Sequence, residues 1–229
     1  MSIVAVHLRP TEAHIMVDTL GFTSAGVAAF GTSKALTIPH MRAALAIRGA
    51  VDPFYDVFLN LLRGGYAGID DAAADLPALW KTAYADYLRN YADAVAVDDV
   101  AAGVEFFMVG YSQKSRTMRG FYMKWLNDFA VEEIVMGDVF MAPLLGDAGL
   151  QEFKSSVRKR IRVPQDFLRL ARLQHAQIAA ESAMRPAGEL TLVTVSPRAT
   201  ETRRIGSLPA PAGVPVAAMP KEAPAHEPA

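Results

Sequence analysis

The order in which two apolar patterns alternate along the 229-residue chain limits its possible folds more than any other feature. Short apolar runs between turn residues are typical of β-strands, whereas apolar residues repeated every three or four positions are typical of helices. The patterns predict strands, two helices, strands, two more helices and a final set of strands. Hairpins interleaved with helix pairs favour two sheets packed face to face with helices outside both, and not a doubly wound parallel sheet. We therefore predict an α+β fold, a four-layer αββα sandwich of two antiparallel sheets flanked by helices.

The strands are predicted from β-like runs that turn residues separate. The first hairpin runs from Ile3 to about Asp18, with Pro10 in its turn. The segment 41–49, "MRAALAIRG", is short and apolar throughout, so periodicity leaves it open between helix and strand. The other predicted strands span residues 27–30, 34–38, 103–112, 115–125, 188–197 and 199–208.

Four helices are predicted from three- and four-residue apolar spacing. The second one, from about Ala73 to Ala94, carries an aromatic stripe that includes Trp80 and Tyr84, and such a stripe favours packing against a sheet. The others span residues 53–65, 150–158 and 164–184.

The composition predicts one domain over residues 1–205 and a disordered Pro- and Ala-rich tail over residues 206–229. The chain has no cysteine, which excludes disulfides and cysteine nucleophiles and favours a cytoplasmic protein. The net charge of −1 gives no global reason to expect nucleic acid or an anionic membrane as a partner. No apolar run approaches the roughly 18 residues that a membrane span needs.

Metal ligation is not supported by the five histidines, which show no ligand spacing. We expect no metal and no organic cofactor, and we place His7 and His14 at surface or sheet-edge positions. A basic run from Lys154 to Arg172 is interpreted as a solvated helix–loop–helix surface. Its functional alternatives are contact with a partner subunit or with nucleic acid.

The N-terminus offers a different chemistry. Ser2 is small enough for Met1 to be removed, and an N-terminal serine carries its own base. The unperturbed pKa of an α-amine is about 7.7–8.0, so part of the amine is neutral near pH 7 and can accept the hydroxyl proton. A nearby cation held by a carboxylate would support such a nucleophile. Lys34 is the candidate for the cation and Asp18 the candidate for the carboxylate.

Ser2 opens the first predicted strand, Asp18 closes the second and Lys34 opens the next long strand. This spacing resembles the proteasome β-subunit-type N-terminal nucleophile hydrolase family, including bacterial proteasome-like peptidases. The following stretch "ALAIRGAVDPFYDVFLNLL" looks like the family's small-residue strand, glycine, aspartate and first helix. The resemblance implies the same αββα sandwich, with Gly49 near the glycine whose amide serves as oxyanion donor and Asp52 at the helix start.

The resemblance implies a peptidase that cleaves amide bonds in a peptide or protein substrate with Ser2 as the nucleophile. It further implies a ring-like homo-oligomer without metal or cofactor. The alternative is a catalytically inactive, proteasome-like structural or assembly subunit in which Asp18 and Lys34 form a partly buried ion pair. A third hypothesis is a module that binds nucleic acid or a partner through the basic run.

Overall fold

The computed structural model describes residues 2–22, 28–90, 104–157, 160–181 and 186–210. The helices are α1 (Asp52–Arg63), α2 (Ile69–Asn90), α3 (Asp147–Ser156) and α4 (Gln165–Glu181), with 3-10 turns at Pro39–Met41 and Trp125–Asn127. The strands are β1 (Val4–Leu8), β2 (Ala13–Asp18), β3 (Leu20–Phe22), β4 (Ala28–Gly31), β5 (Ala35–Ile38), β6 (Ala43–Arg48), β7 (Glu105–Ser112), β8 (Thr117–Lys124), β9 (Glu132–Glu133), β10 (Val139–Ala142), β11 (Gly188–Val195) and β12 (Thr200–Leu208).

The strands form two five-stranded antiparallel sheets and one small ribbon. The first sheet has the order β10-β1-β2-β11-β12, and the second has the order β5-β6-β7-β8-β9. Strands β3 and β4 form the ribbon. Because β1 and β2 are inner strands of the first sheet, the start of the chain is enclosed by the fold, and every residue of both strands is buried.

Three apolar layers hold these elements together. One lies between the second sheet and helices α1 and α2, where the rings of Trp80 and Phe106 meet edge to face with centroids 4.9 Å apart. A second layer lies between the sheets and includes Val6 and Phe107. The third lies between the first sheet and helices α3 and α4, and includes Met16 and Phe167. Three apolar layers between four structural layers confirm the predicted αββα sandwich.

The ambiguous segment 41–49 forms strand β6, which pairs with β5 on one side and β7 on the other. Both faces of β6 contact apolar layers, Leu45 on the helix side and Ala44 on the other sheet's side. A strand buried on both faces loses the apolar–polar alternation that identifies strands, which is why its sequence left the question open.

Several predicted limits differ from those observed. Helix α2 begins at Ile69, before the predicted start at Ala73. Strand β12 runs to Leu208, which extends regular structure into the first residues of the predicted tail. The predicted ends of two helices, at residues 91–94 and 182–184, and residues 211–229 of the tail lie outside the described residues. The domain limits therefore stay a prediction.

The expectation that His7 and His14 lie at the surface or a sheet edge is wrong. They face each other across the inner strands β1 and β2, their rings stack with centroids 6.5 Å apart, and their exposed fractions are 4% and 5%. The chain near Ile161 covers this end of the sheet, since its carbonyl accepts a hydrogen bond from Arg9 at 2.5 Å. A contact between residues so far apart in sequence leaves no signal in the pattern of the first hairpin.

Candidate active site

Two of the charged residues selected from the sequence form a buried ion pair. The Lys34 Nζ lies 2.8 Å from Asp18 Oδ2, and the two side chains are only 3% and 0% exposed. Lys34 Nζ also donates a hydrogen bond to the carbonyl of Leu20 at 2.5 Å. Removing both charges from water is costly, and the direct contact together with the extra hydrogen bond offsets part of that cost.

The other carboxylate oxygen of Asp18 connects the pair to the start of the chain. The backbone N–H of Ile3 donates to Asp18 Oδ1 at 2.9 Å. Ser2, whose carbonyl belongs to the same peptide group, is itself 7% exposed. The ion pair thus lies one peptide group away from the predicted nucleophile.

Strand register explains why these residues meet. In the β1–β2 hairpin Val4 pairs with Val17, so Asp18 lies opposite the residue that precedes Val4. Lys34 comes immediately before β5, and its carbonyl accepts the N–H of Ile47 at 3.0 Å, which continues the pairing of β5 with β6. The ribbon between them brings Lys34 back to Asp18: β3 pairs with β4 through Leu20 and Gly31, and the N–H of Thr32 donates to the Thr19 carbonyl at 2.7 Å.

The charged side chain of Arg48 also reaches Ser2, from the opposite sheet. The sequence analysis did not identify this residue. Arg48 Nε donates to the Ser2 carbonyl at 3.2 Å, and Arg48 Nη1 lies 2.8 Å from Glu105 Oε2. The hydroxyl of Tyr122 donates to Glu105 Oε1 at 2.7 Å, and burial, followed by its bond to Glu105, raises the pKa of Tyr122. The sequence did contain a signal for the Arg48–Glu105 pair. Arg48 ends one apolar strand and Glu105 begins another, and antiparallel pairing of these strands places the two residues opposite each other.

Gly49 and Asp52 follow directly after β6. Gly49 has a φ of +117°, a conformation that side chains on L-residues rarely adopt, which explains glycine at this position. Asp52 is the first residue of α1 and Pro53 the second, as is common where helices begin. The role of Gly49 as an oxyanion donor stays a prediction.

The basic run forms an exposed surface with internal ion pairs. Arg162 pairs with Asp166 at 3.1 Å, and Arg169 pairs with Glu152 at 3.6 Å. Residues 158–159 of the run lie outside the described residues. Acidic partners within the same surface reduce the net positive charge available to a nucleic acid.

Among the described residues, no cluster of three or more histidine, aspartate or glutamate side chains is arranged to hold a metal ion. Within the same part of the chain, no helix combines the length and the apolar character that crossing a membrane requires.

The fold is a four-layer αββα sandwich like that of N-terminal nucleophile hydrolases, and its first strand starts next to a buried lysine. Among the particular solved structures that the chain resembles are three Anbu (ancestral β-subunit) proteins. Anbu from Yersinia bercovieri matches with a TM-score of 0.65 and 11% identity. A Gly-1 mutant of Anbu from Hyphomicrobium sp. strain MC1 matches with a TM-score of 0.60 and 13% identity. A helical assembly of the Anbu complex from Pseudomonas aeruginosa matches with a TM-score of 0.66 and 14% identity.

Each of the three matches covers 90% of this chain and 87% of the other. No protein-family model and no curated protein sequence matches the chain. At 11–14% identity the likeness shows the fold alone.

The predicted membership of the proteasome β-subunit-type family is wrong. The three similar structures named above are Anbu proteins, which are proteasome-like but form a distinct family. The residues behind the prediction occupy strand ends, and their offsets follow from strand length and register. Such offsets indicate a fold and do not distinguish one family with that fold from another.

Proposed function

We propose that the chain is a proteasome-like N-terminal nucleophile hydrolase that cleaves amide bonds in a peptide or protein substrate, with Ser2 as the nucleophile after removal of Met1. The observation that carries the proposal is the buried Lys34–Asp18 pair, bound through Asp18 to the peptide group that links Ser2 and Ile3. An ammonium group enclosed beside the start of the inner strand β1 is costly to maintain, and catalysis at Ser2 supplies a reason for it.

In the proposed reaction the hydroxyl oxygen of Ser2 attacks the substrate carbonyl carbon, and the hydroxyl proton moves to the free α-amine of the same residue. Collapse of the tetrahedral intermediate breaks the C–N bond, and the departing amine takes the proton from the ammonium group. Water then attacks the Ser2 ester, gives up a proton to the α-amine and releases the acid, after which the proton returns to the serine oxygen. No cofactor enters this balance.

Lys34 is proposed to stabilise the developing alkoxide and to lower the pKa of the Ser2 amine by its positive charge. An ammonium group has three N–H bonds, and two of those of Lys34 are directed at Asp18 and the Leu20 carbonyl. The third is proposed to serve the Ser2 hydroxyl. The backbone N–H of Gly49 is proposed as the oxyanion donor.

The active form is proposed to be a homo-oligomer in the cytoplasm. One of the similar structures is described as a helical assembly of an Anbu complex, which makes assembly of this fold into larger complexes a reasonable expectation. The ring-like arrangement expected from the sequence is one form of such an assembly. Light scattering on the purified protein tests it.

The experiment that tests the function begins with intact-mass measurement of the mature N-terminus. A β-lactone probe, which acylates hydroxyl nucleophiles, is then applied to the wild type, Ser2→Ala and Ser2→Thr, and peptide amide hydrolysis is measured in parallel. Alanine and threonine are both small enough to allow removal of Met1; Ser2→Ala loses the hydroxyl, whereas Ser2→Thr keeps it and adds a methyl group.

Labelling and hydrolysis are expected in the wild type and Ser2→Thr and not in Ser2→Ala. Retention of Met1 in active protein would end the mechanism, because an acylated amine is not a base. Absence of labelling and hydrolysis in correctly trimmed wild type would favour the alternative of a structural subunit.

A further inference from the structure

The peptide group between Ser2 and Ile3 is held at both of its polar ends. Its N–H donates to Asp18 on the neighbouring strand, and its carbonyl accepts from Arg48 on the opposite sheet. A peptide group is planar, so two hydrogen bonds in different directions restrict the orientation of the whole plane. The remaining freedom of Ser2 lies in its own backbone torsions and in χ1.

Arg48 is itself held in place. Glu105 Oε2 accepts from its Nη1 at 2.8 Å, and the other oxygen of that carboxylate accepts from the hydroxyl of Tyr122. The side chains of Arg48 and Glu105 are only 16% and 17% exposed. A guanidinium group carries its donors on separate nitrogens in a rigid fork, so Nε can bind the Ser2 carbonyl while Nη1 binds the carboxylate; a lysine would have to reach both acceptors from a single nitrogen.

We propose that Arg48 is a positioning residue that, together with Asp18, clamps the Ser2–Ile3 peptide group and thereby aims the amine and hydroxyl of Ser2. The inference rests on the proposed function for its catalytic consequence, but the clamp itself is a structural claim that can be tested without catalysis. Glu105 and Tyr122 act through Arg48 and do not touch the substrate.

The test uses Arg48→Met, which keeps an unbranched side chain but removes every donor, and Arg48→Lys, which keeps the charge but loses the fork. The matched control is Arg119→Met. Arg119 lies on β8 at the other end of the same sheet and binds two carboxylates, those of Asp70 and Glu133, each at 2.8 Å. Its loss removes ion pairs of the same kind far from Ser2.

Two readouts are compared on the full chain. The first is the rate of β-lactone labelling at Ser2, measured from pH 6 to 9. The second is the hydrogen-exchange rate of the Ile3 amide, which depends on the clamp and not on catalysis. Arg48→Met is expected to slow labelling by about tenfold to a hundredfold, because small misplacements of reacting groups have effects of that size. It is expected to speed exchange at Ile3 by about tenfold, since the peptide plane has lost one of its two anchors.

Arg48→Lys is expected to fall between the wild type and Arg48→Met in both readouts, and Arg119→Met is expected to leave both near the wild-type values. Wild-type labelling and exchange in Arg48→Met would overturn the inference, as would equal losses in Arg48→Met and Arg119→Met. If the wild type is not labelled at all, the proposed function fails, and exchange at Ile3 alone then decides whether Arg48 clamps the peptide.

Discussion

Replacing Lys34 with methionine would isolate the charge of Asp18 inside the protein. Asp18 is 0% exposed and would keep the Ile3 N–H as a donor but lose its cation. Removing one partner of a buried ion pair costs roughly 3–5 kcal/mol, because the other charge remains without compensation. A change of 1 kcal/mol shifts the melting temperature by roughly 2–4 °C for a protein of this length, so we expect a decrease of about 6–20 °C.

The double variant Lys34→Met/Asp18→Asn separates a buried charge from other effects. Asparagine can still accept from the Ile3 N–H through its carbonyl oxygen but carries no charge. The double variant is therefore expected to be more stable than Lys34→Met alone, although it should not label at Ser2.

Stability would be measured by chemical denaturation and by thermal melting at one fixed protein concentration, because the proposed assembly would make apparent stability depend on concentration. The matched control is Lys81→Met, which breaks an exposed pair with Asp128 and should cost no more than about 1 kcal/mol. A loss below about 1 kcal/mol in Lys34→Met, or costs that simply add in the double variant, would refute the reasoning that Asp18 is a buried charge.

Three further predictions concern other parts of the fold. Burial, and then the positive charge of Arg9, lowers the pKa of His14 to about 4, so the unfolded chain takes up a proton at higher pH than the folded one. Stability should therefore fall by about 3 kcal/mol as the pH drops from about 6.5 to about 4, and denaturation of His14→Gln should show a smaller decrease over this range. In Gly188→Ala the new Cβ would lie 2.9 Å from Thr19 Oγ1 at a φ of +82°, so we expect a loss of about 1–3 kcal/mol, and an unchanged denaturation midpoint would contradict this strain. Trp80→Ala removes a fully buried ring, and a loss of roughly 3–5 kcal/mol is expected by the same measurement; a loss under 1 kcal/mol would show that α2 does not depend on this contact.

Local patterns were sufficient to predict most of the fold. The first hairpin, helix α1 and the β11–β12 hairpin occur where they were predicted, because strand alternation, helix spacing and turn residues act over a few positions. Strand β6 could not be identified, since it is buried on both faces, and the burial of His7 and His14 depends on chain that follows more than 100 residues later. The family was predicted wrongly because strand-end offsets report the fold alone.

By itself the sequence determined the order of the layers, and the proximity of Asp18 to Lys34 follows from pairing within the short β3–β4 ribbon that lies between them in the chain. Only the tertiary structure decided which side chain binds the Ser2 carbonyl. Arg48 is 46 residues from Ser2, and Glu105 is 57 residues from Arg48. Arg48 and Glu105 pair within the second sheet, but Arg48 meets Ser2 because the two sheets pack face to face, and that packing depends on the shapes of whole surfaces, which no local pattern encodes.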